Sequence, residues 1–376
     1  MTDAIEKTIR TQGLFSAATP VIAMVSGGSD STALAYLVSD LHKRGLVGQP
    51  AILHVNHLLR GEDAYADQRF VEKLAAHLEI PFFSCEIDVA SLAKATGGNE
   101  EAIGRNERYL AAHEALESLC RHVMIPISEG RIVTAHTQDD RVENFYMRSI
   151  VGTGPGGFRS MLYANGPVVR PLLDVSRQAL RDFVNDIPVN EAVVDEEGNR
   201  WREDATNAHT DRFRAFVRHE IIPKAKERNG QLLDTLCRTM NLIADEDDFL
   251  DSLASEAAGS NLEWIGGDGE GSFDGCRLLP AFGAVARPLQ RRVVMAVLEA
   301  FIGNEGRIES ASIEAILSAF DEEGAPISGF VANVQGNLAV SANKQGVLVE
   351  PMAIFRARRK PNRAYHAFGN LNVSLT

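Results

Sequence analysis

The segment that most constrains the fold is an apolar run that leads into two glycines and then into a helical pattern. Residues 21–25 are apolar, residues 26–31 read Ser-Gly-Gly-Ser-Asp-Ser, and residues 32–43 have helical periodicity. Glycines at such a point let backbone N–H groups close around phosphate oxygens, and the start of the helix adds partial positive charge. The segment therefore predicts a strand, a phosphate-binding loop and a helix.

Two commoner phosphate-binding patterns are excluded. The sequence lacks G-x-x-x-x-G-K-[ST], and no G-x-G-x-x-G follows the first strand. The loop instead resembles that of N-type ATP pyrophosphatases, which adenylate an oxygen and then displace AMP with a nucleophile. This resemblance implies ATP as a substrate and Asp30 as a residue that orients the loop or helps to hold Mg²⁺. The ATP-binding residues are then Ser26, Gly27, Gly28, Ser29, Asp30 and Ser31.

The first half of the chain alternates short apolar runs with helical patterns, which is typical of a parallel α/β sheet. Further strands are predicted at 51–55, 81–87 and 131–135, and helices at 63–78, 89–119 and 139–150. From about residue 227 helical patterns dominate, at 232–258, 286–301 and 310–320, and short alternating runs after Pro326 indicate β-structure. We therefore predict an α/β catalytic domain at 1–224, a mainly helical domain at 225–325 and a small β-containing segment with a basic tail at 326–376.

Charge and cysteine content limit the class of protein and the cellular compartment that we expect. The formal net charge of −13 argues mildly against a protein coated in nucleic acid, but it allows a local basic face. The four cysteines are scattered without a C-x-x-C pair, which fits a reducing cytoplasm and suggests neither a disulfide framework nor a thiolate metal site. No apolar run approaches the roughly 18–20 residues of a membrane span. We expect a cytoplasmic protein.

Beyond the loop, six sequence pieces occur in one order. They are the loop at 26–31, His54-Val55-Asn56-His57-Leu58-Leu59-Arg60, Glu101-x-x-x-Arg105-x-x-Arg108-Tyr109, His136-x-x-Asp139-Asp140-x-x-Glu143, Arg170-Pro171-Leu172-Leu173, and Asp204-x-Thr206-Asn207 leading to Arg214, Arg218 and Pro223. On these pieces the chain resembles the bacterial tRNA(Ile)-lysidine synthetases over roughly residues 20–225, and more loosely to about 350.

The resemblance implies a specific ligase reaction. ATP adenylates the C2 oxygen of the wobble cytidine in a CAU-anticodon isoleucine tRNA, and the ε-amine of free lysine then attacks C2 and expels AMP. A lysine amine has an unperturbed pKa near 10.4, so only about one in 2,500 is neutral at pH 7, and a carboxylate must bind the ammonium and help to remove its protons. The resemblance also implies ATP, Mg²⁺, lysine and tRNA as ligands, and it allows a homodimer.

The fourth piece supplies the carboxylates for this chemistry. Asp140 and Glu143 lie three residues apart and share a helix face, so we assign them to the lysine and cytidine site, with Asp140 also a candidate Mg²⁺ ligand. Asp139 is expected to cap the helix or to support the site. His136 is expected to contact phosphate or the adenylated base. The alternative is an acidic helix start that the helix dipole favours.

Several basic residues are candidate phosphate or RNA contacts. Arg105 and Arg108 lie three apart on a helix and can serve ATP or the charge that develops as AMP forms, or they can belong to a solvated face. His57 and Arg60 follow the second strand, and they are expected either to face adenosine or tRNA or to be ordinary polar residues of a loop. The stretch 200–228 is rich in basic residues, and its tRNA-binding candidates are Arg202, Arg214 and Arg218. A second basic face is expected from Arg287, Arg291 and Arg292, and a third from 356–363, with plain solvated surface as the alternative.

Some positions depart from the pattern of the family. Asn144 stands where threonine is common, Val151 where arginine is usual, and Ala215 where asparagine is common. These changes put the RNA contacts in doubt and leave the loop, Asp140 and Glu143 intact. The open alternatives are a tRNA thiolase of the same loop class, which commonly uses paired cysteines, and a paralogue that binds nucleotide or tRNA without turnover.

Overall fold

In a computed structural model the chain forms two compact units, Met1–Ala244 and Asp245–Thr376. The structure describes residues 1–203, 213–266, 273–303 and 308–359. The predicted boundary at 224/225 therefore lies inside the first unit, and the division between the units falls within one long helix, Leu232–Asn261.

The first unit is built around a mostly parallel sheet. Its strands are β1 (Val21–Met24), β2 (Pro50–Asn56), β3 (Phe82–Glu86), β4 (Arg131–Val133), β5 (Ala164–Asn165) and β6 (Val168–Val169). Their order is β3-β2-β1-β4-β6-β5, with only the β5–β6 pair antiparallel. The chain runs from β1 outward to β3 and then returns to place β4 on the other side of β1. Open α/β sheets bind ligands where the order reverses in this way.

Helices connect and cover these strands. They are α1 (Thr2–Thr11), α2 (Ser29–Lys43), α3 (Glu62–Leu78), α4 (Val89–Thr96), α5 (Glu100–His122), α6 (Gln138–Val151), α7 (Arg177–Asn185), α8 (Phe213–Phe216), α9 (Ile222–Arg228) and α10 (Leu232–Asn261). A π-helical turn, Val217–Ile221, joins α8 to α9. The predicted strands and helices of the first half are confirmed to within a few residues, whereas α7 and the short β5–β6 hairpin were not predicted.

Both faces of the sheet are buried, as strands of a covered parallel sheet require. Val21 and Ala23 of β1 pack into a core with α1, α2, α3 and α7. Ile22 points to the opposite face, where it packs with Ala112 and Leu116 of α5. This alternation explains why the strands appear as continuous apolar runs in the sequence.

The second unit contains an antiparallel sheet and helices. Its elements after α10 are β7 (Leu262–Ile265), β8 (Gly275–Leu278), α11 (Arg287–Ile302), α12 (Ser310–Leu317), β9 (Val331–Val334), β10 (Leu338–Asn343), β11 (Gly346–Pro351) and α13 (Met352–Arg359). The strand order is β7-β8-β11-β10-β9, and α11 and α12 contribute to one apolar core with the sheet. The predicted fold class is confirmed, but β7 and β8 lie where only helix and turn were predicted.

None of the helices in the described part of the chain combines the length and apolarity needed to cross a membrane.

Candidate active site

The predicted site residues gather at one edge of the first sheet. The loop at 26–31 follows β1, His57 and Arg60 follow β2, and residues 136–143 follow β4. A fourth segment, which follows β6 and leads into α7, reaches the same place. Because β1, β2, β4 and β6 are parallel, their carboxyl ends meet at this edge, and the sheet itself brings the segments together.

The phosphate loop is closed by its own serines and by a glycine with an unusual backbone. Gly27 has φ +96°, a conformation that side chains other than glycine rarely adopt. The Ser26 N–H donates to Ser31 Oγ over 3.2 Å, and Ser31 Oγ donates to the Gly28 carbonyl over 3.1 Å. Gly28 is the N-cap of α2 and no side chain caps it. The first-turn N–H groups of α2 therefore face the loop, where an anion is stabilised.

Two neighbouring groups support the loop from outside. His54 of β2 is buried and its Nδ1 lies 2.9 Å from the Val25 carbonyl, directly before the loop. The Arg202 N–H donates to the Gly27 carbonyl over 2.9 Å. The guanidinium of Arg202 in turn contacts Asp67 and Asp195 at 3.0 and 3.2 Å. Arg202, predicted as a tRNA contact, is thus placed as a support of the phosphate loop.

The start of α6 is fixed by a capping box. Thr137 is the N-cap, and its side chain and the side chain of Asp140 each accept from the other's backbone N–H. Asp139 is therefore not the cap, and that alternative was wrong. Its carboxylate instead accepts the Arg177 N–H over 2.8 Å, and Lys226 Nζ lies 3.9 Å away. Asp139 thus holds the first residue of α7.

Asp140 is buried and surrounded by donors. Its Oδ2 accepts the N–H and O–H of Thr137 at 2.7 and 2.9 Å. Its Oδ1 accepts from Arg177 and Arg214 at 3.1 and 2.8 Å. Burial raises the pKa of this carboxyl, but the two guanidinium charges and the Thr137 bond outweigh burial and leave the pKa below its ordinary value. Asp140 is ionised at neutral pH.

Glu143 is 1% exposed and makes the densest set of ion pairs. Arg218 donates to both carboxylate oxygens, at 2.6 and 3.0 Å. Arg214 Nε donates to Oε2 over 2.7 Å, and Arg177 Nη1 lies 3.5 Å from Oε1. Burial again opposes ionisation, but the hydrogen bond from Arg218 and the nearby cations hold the pKa of Glu143 below its usual range.

Arg177 is the functional candidate that sequence reasoning missed. It is the first residue of α7, behind the N-cap Ser176. Its Nε contacts Asp30 at 3.0 Å, so one guanidinium bridges the phosphate loop and both carboxylates of α6. One sequence signal was available, because a cation in the first turn of a helix is disfavoured by the helix dipole and needs acidic partners from elsewhere.

Asp30 completes the cluster. Burial raises the pKa of its carboxyl, the charge of Asp140 acts in the same direction, and Arg177 opposes both. Asp30 and Asp140 both present carboxylate oxygens to the Arg177 guanidinium. In the described residues no group of three or more His, Cys, Asp or Glu side chains could hold a metal ion. Mg²⁺ usually binds through one or two carboxylates plus phosphate and water, so this pair fits it as a donor set.

His136 and Arg105 border the carboxylates. His136 Nδ1 lies 2.8 Å from Thr134 Oγ1, and burial lowers the pKa of its imidazole to about 4, so it is neutral at pH 7. Arg105 is exposed, stacks over the Tyr109 ring at 5.3 Å, and its charge also lowers the pKa of His136. Arg105 thus lies near His136, and in the described part of the chain its guanidinium forms no ion pair.

His57 and Arg60 are less available than expected. Arg60 Nη2 contacts the buried Asp67 at 2.6 Å. Arg108 donates to His57 Nε2 over 3.2–3.4 Å, so this nitrogen accepts and Nδ1 carries the proton. That Nδ1 is buried and, among the described residues, has no hydrogen-bond partner. Burial and the Arg108 charge lower the pKa of His57 to about 4.

The lowered pKa of His57 predicts an acid-dependent loss of stability. Its folded pKa of about 4 lies below the ordinary value of 6.5, so its contribution is full above pH 6.5 and is lost as the pH falls towards 4. The ring is half-buried, and solvent screens part of its pKa shift. As the pH falls from 6.5 to 4, protonation of His57 should therefore lower the free energy of unfolding by roughly 1–2 kcal/mol. We expect His57→Gln to flatten the pH dependence of urea unfolding. His77→Gln, at an exposed position of α3, is the control and should leave it unchanged.

The remaining basic candidates differ from the expectation. The three arginines of the expected second face are ion-paired within their own unit, so they form no free basic face. Arg287 and Arg291 contact Glu314, and Arg292 contacts Asp247 and Asp251. In the basic run 356–363, Arg358 pairs with Glu350, Arg359 lies over the Phe355 ring, and 360–363 lie outside the described residues. Asp204, Thr206 and Asn207 also lie outside them.

The three departures from the family pattern have different surroundings. Val151, the last residue of α6, is 62% exposed. Asn144 Nδ2 lies 3.5 Å from Ser160 Oγ, and Ala215 lies in α8 beside Arg214. Within the described ranges, none of the three is hydrogen-bonded through its side chain to Asp140 or Glu143. The carboxylate cluster is therefore complete without them.

Comparisons with known proteins agree on the first unit. The PP-loop domain model matches residues 2–225. The tRNA(Ile)-lysidine synthase of Caldanaerobacter subterraneus is 28% identical over 323 residues, or 86% of this chain and 64% of that protein. The enzyme of the same name from Geobacter sulfurreducens is 31% identical over 84% of this chain and 63% of its own length, and that from Thermus thermophilus 34% identical over 62% and 41%. The chain thus spans less than two thirds of the length of these relatives.

Proposed function

The chain belongs to the PP-loop family, and on that premise we propose that it is an ATP-dependent ligase that converts the wobble cytidine of a CAU-anticodon isoleucine tRNA to lysidine. The observation that carries the proposal is the convergence of the phosphate loop and the ionised Asp140–Glu143 pair at one sheet edge, joined by Arg177. The names of the relatives support lysine and tRNA(Ile) as substrates. We also expect AMP and pyrophosphate as products and a location in the cytoplasm.

The loop is proposed to serve the adenylation half-reaction. Its backbone N–H groups and the start of α2 bind the pyrophosphate portion of ATP, and the cytosine O2 attacks the α-phosphorus as pyrophosphate leaves. Asp30 and Asp140 would hold Mg²⁺, which supplies charge neutralisation for the phosphates. Arg105, which lies near His136, is proposed to balance the charge that develops as AMP forms.

The carboxylates of α6 are proposed to serve the second half-reaction. Asp140 and Glu143 are ionised, so they can bind the lysine ammonium and accept a proton from it. The amine then attacks C2 of the adenylated base, the C2–O bond to AMP breaks, and AMP leaves. His136 is neutral at pH 7 and can accept a hydrogen bond or a proton beside this pair.

The RNA contacts belong to the proposal as well. Arg214 and Arg218 are 43% and 27% exposed, so they can contact RNA phosphate from the edge of the carboxylate cluster. His57 and Arg60 lie where β2 ends, and Arg202 would act mainly through the phosphate loop. A homodimer stays a prediction.

Two observations bear on the rival functions, which are a tRNA thiolase and a paralogue that binds nucleotide or tRNA without turnover. The four cysteines, Cys85, Cys120, Cys237 and Cys276, are free, and the sequence contains no C-x-x-C pair, which does not favour a thiolase that uses paired cysteines. A paralogue without turnover has no need of a buried, charge-balanced carboxylate pair beside the loop.

The deciding experiment incubates the protein with ATP, radiolabelled lysine and CAU-anticodon tRNA. We expect label in the tRNA and equimolar AMP, and no label in a transcript whose wobble cytidine is changed to uridine. Tight tRNA binding without label transfer would refute the ligase proposal. Sulfur incorporation from a sulfide donor would favour the thiolase instead.

A further inference from the structure

Arg177 connects three carboxylates that no local sequence pattern joins. Its three guanidinium nitrogens each contact a different acid, Asp30, Asp140 and Glu143, and its side chain is 19% exposed. A guanidinium is planar with donors in a fixed fork, unlike the flexible point charge of a lysine. Carboxylates bound to one such group are therefore held at set distances from one another.

The backbone that carries this guanidinium is fixed from two sides. Asp139 of α6 accepts the Arg177 backbone N–H, and the Ser176 side chain caps α7 through the Ala179 N–H at 3.2 Å. Leu180 of α7 is fully buried in the core that also contains α2, the helix that begins with the phosphate loop. The backbone of Arg177 therefore cannot shift without disturbing the loop helix or α6.

Charge balance in the cluster depends on this residue. Asp30, Asp140 and Glu143 face Arg177, Arg214 and Arg218, so three negative charges meet three positive ones in a shielded site. Removal of Arg177 leaves a net negative charge between Asp30 and Asp140. These are the two carboxylates that are suited to a divalent cation.

We propose that Arg177 is a positioning residue that fixes Asp30 of the phosphate loop relative to Asp140 and Glu143, and that it competes with a divalent cation for Asp30 and Asp140. The first part rests on the proposed function, because it concerns the transfer of lysine to an adenylated base. The second part concerns only cation binding and stands without it. One residue thereby couples the geometry of the two half-reactions.

Cation binding by the full chain, without nucleotide or tRNA, tests the second part. Mn²⁺ titration followed by electron paramagnetic resonance should show at least roughly tenfold tighter binding for Arg177→Gln than for wild type. Arg121→Gln removes an arginine from an exposed pair with Glu117 on α5 and should not change Mn²⁺ binding. Equal Mn²⁺ affinity of Arg177→Gln and wild type, within about twofold, would overturn the competition.

The ratio of lysidine formed to pyrophosphate released tests the first part, because pyrophosphate leaves in the adenylation step and AMP leaves only when lysine attacks. We expect this ratio to fall at least roughly tenfold in Arg177→Gln, because adenylation continues while the carboxylates are misplaced. Arg177→Lys keeps the charge without the fork, so it should show a smaller fall in the ratio and Mn²⁺ binding several-fold tighter than wild type. If Arg177→Gln does not fold, Arg177→Lys decides alone, and wild-type values for both measurements would refute the proposal. Absence of lysidine in the wild type would refute the proposed function and leave the Mn²⁺ result to be judged separately.

Discussion

Replacement of Asp140 by asparagine is expected to lower lysidine formation by roughly 10³-fold while ATP binding stays within a few-fold of wild type. One carboxylate oxygen accepts two bonds from Thr137, and the other accepts from Arg177 and Arg214. An asparagine has one acceptor oxygen, so its NH₂ group must face donors on one side. The lysine ammonium then loses a charged partner. Initial rates of label transfer and equilibrium binding of an ATP analogue measure the two effects.

A matched control separates this role from general destabilisation. Asp174 also binds a buried arginine, Arg141, at 3.2 Å, but it lies outside the carboxylate cluster. Asp174→Asn should lower thermal stability to a comparable or smaller extent and leave label transfer near the wild-type rate. Full activity of Asp140→Asn would refute the assignment of Asp140 to the lysine site.

Replacement of Gly27 by alanine is expected to weaken ATP binding roughly 100-fold or more, with adenylation lost in proportion. A Cβ at this position would meet Arg202 and Val71 at 3.6 Å, which is ordinary contact, so lack of space is not the cause. The cause is the φ of +96°, which costs an alanine on the order of 1–3 kcal/mol. Relaxation of this strain turns loop N–H groups away from the phosphates, and hydrogen bonds to charged groups contribute about 1.5–3 kcal/mol each.

Gly45 supplies the control for backbone strain. It has φ +69°, and it is exposed after the end of α2. Among the described residues, no atom beyond Gly45 and its two chain neighbours lies within 4 Å of the point that a Cβ would occupy. Gly45→Ala should therefore lower the free energy of unfolding by a similar amount and leave ATP binding unchanged. ATP binding by Gly27→Ala at wild-type strength would show that the phosphates do not depend on this backbone conformation.

Local patterns predicted much of the fold of the first unit. The apolar run before the loop and the periodicity after it indicated β1 and α2, and α6 was predicted within a residue at each end because its period and start are local features. β7 and β8 were missed because each is short and, unlike β1, is interrupted by a charged residue, so neither shows a continuous apolar run. The roles of the site residues stay predictions that the experiments above address.

Ion pairs across the fold were the least predictable feature. Arg214 and Arg218 were assigned to RNA from the family pattern and the local excess of basic residues, and the structure shows both in contact with Glu143. Arg287 and Arg291 were expected on a basic face, and both contact Glu314. A run of basic residues shows where charge is concentrated along the chain, but its partners depend on which elements the fold brings near.

The sequence by itself determined the phosphate loop and the spacing of Asp140 and Glu143. Both depend only on residues that are close together in the sequence. The loop follows from a strand that ends in glycines, and the shared face of Asp140 and Glu143 follows from the helical repeat of about 3.6 residues per turn. Only the tertiary structure decided that Arg177 joins them, because Asp30, Asp140 and Arg177 follow three different strands of one sheet. Their contact follows from the parallel order of β1, β4 and β6, and no spacing along the chain contains that information.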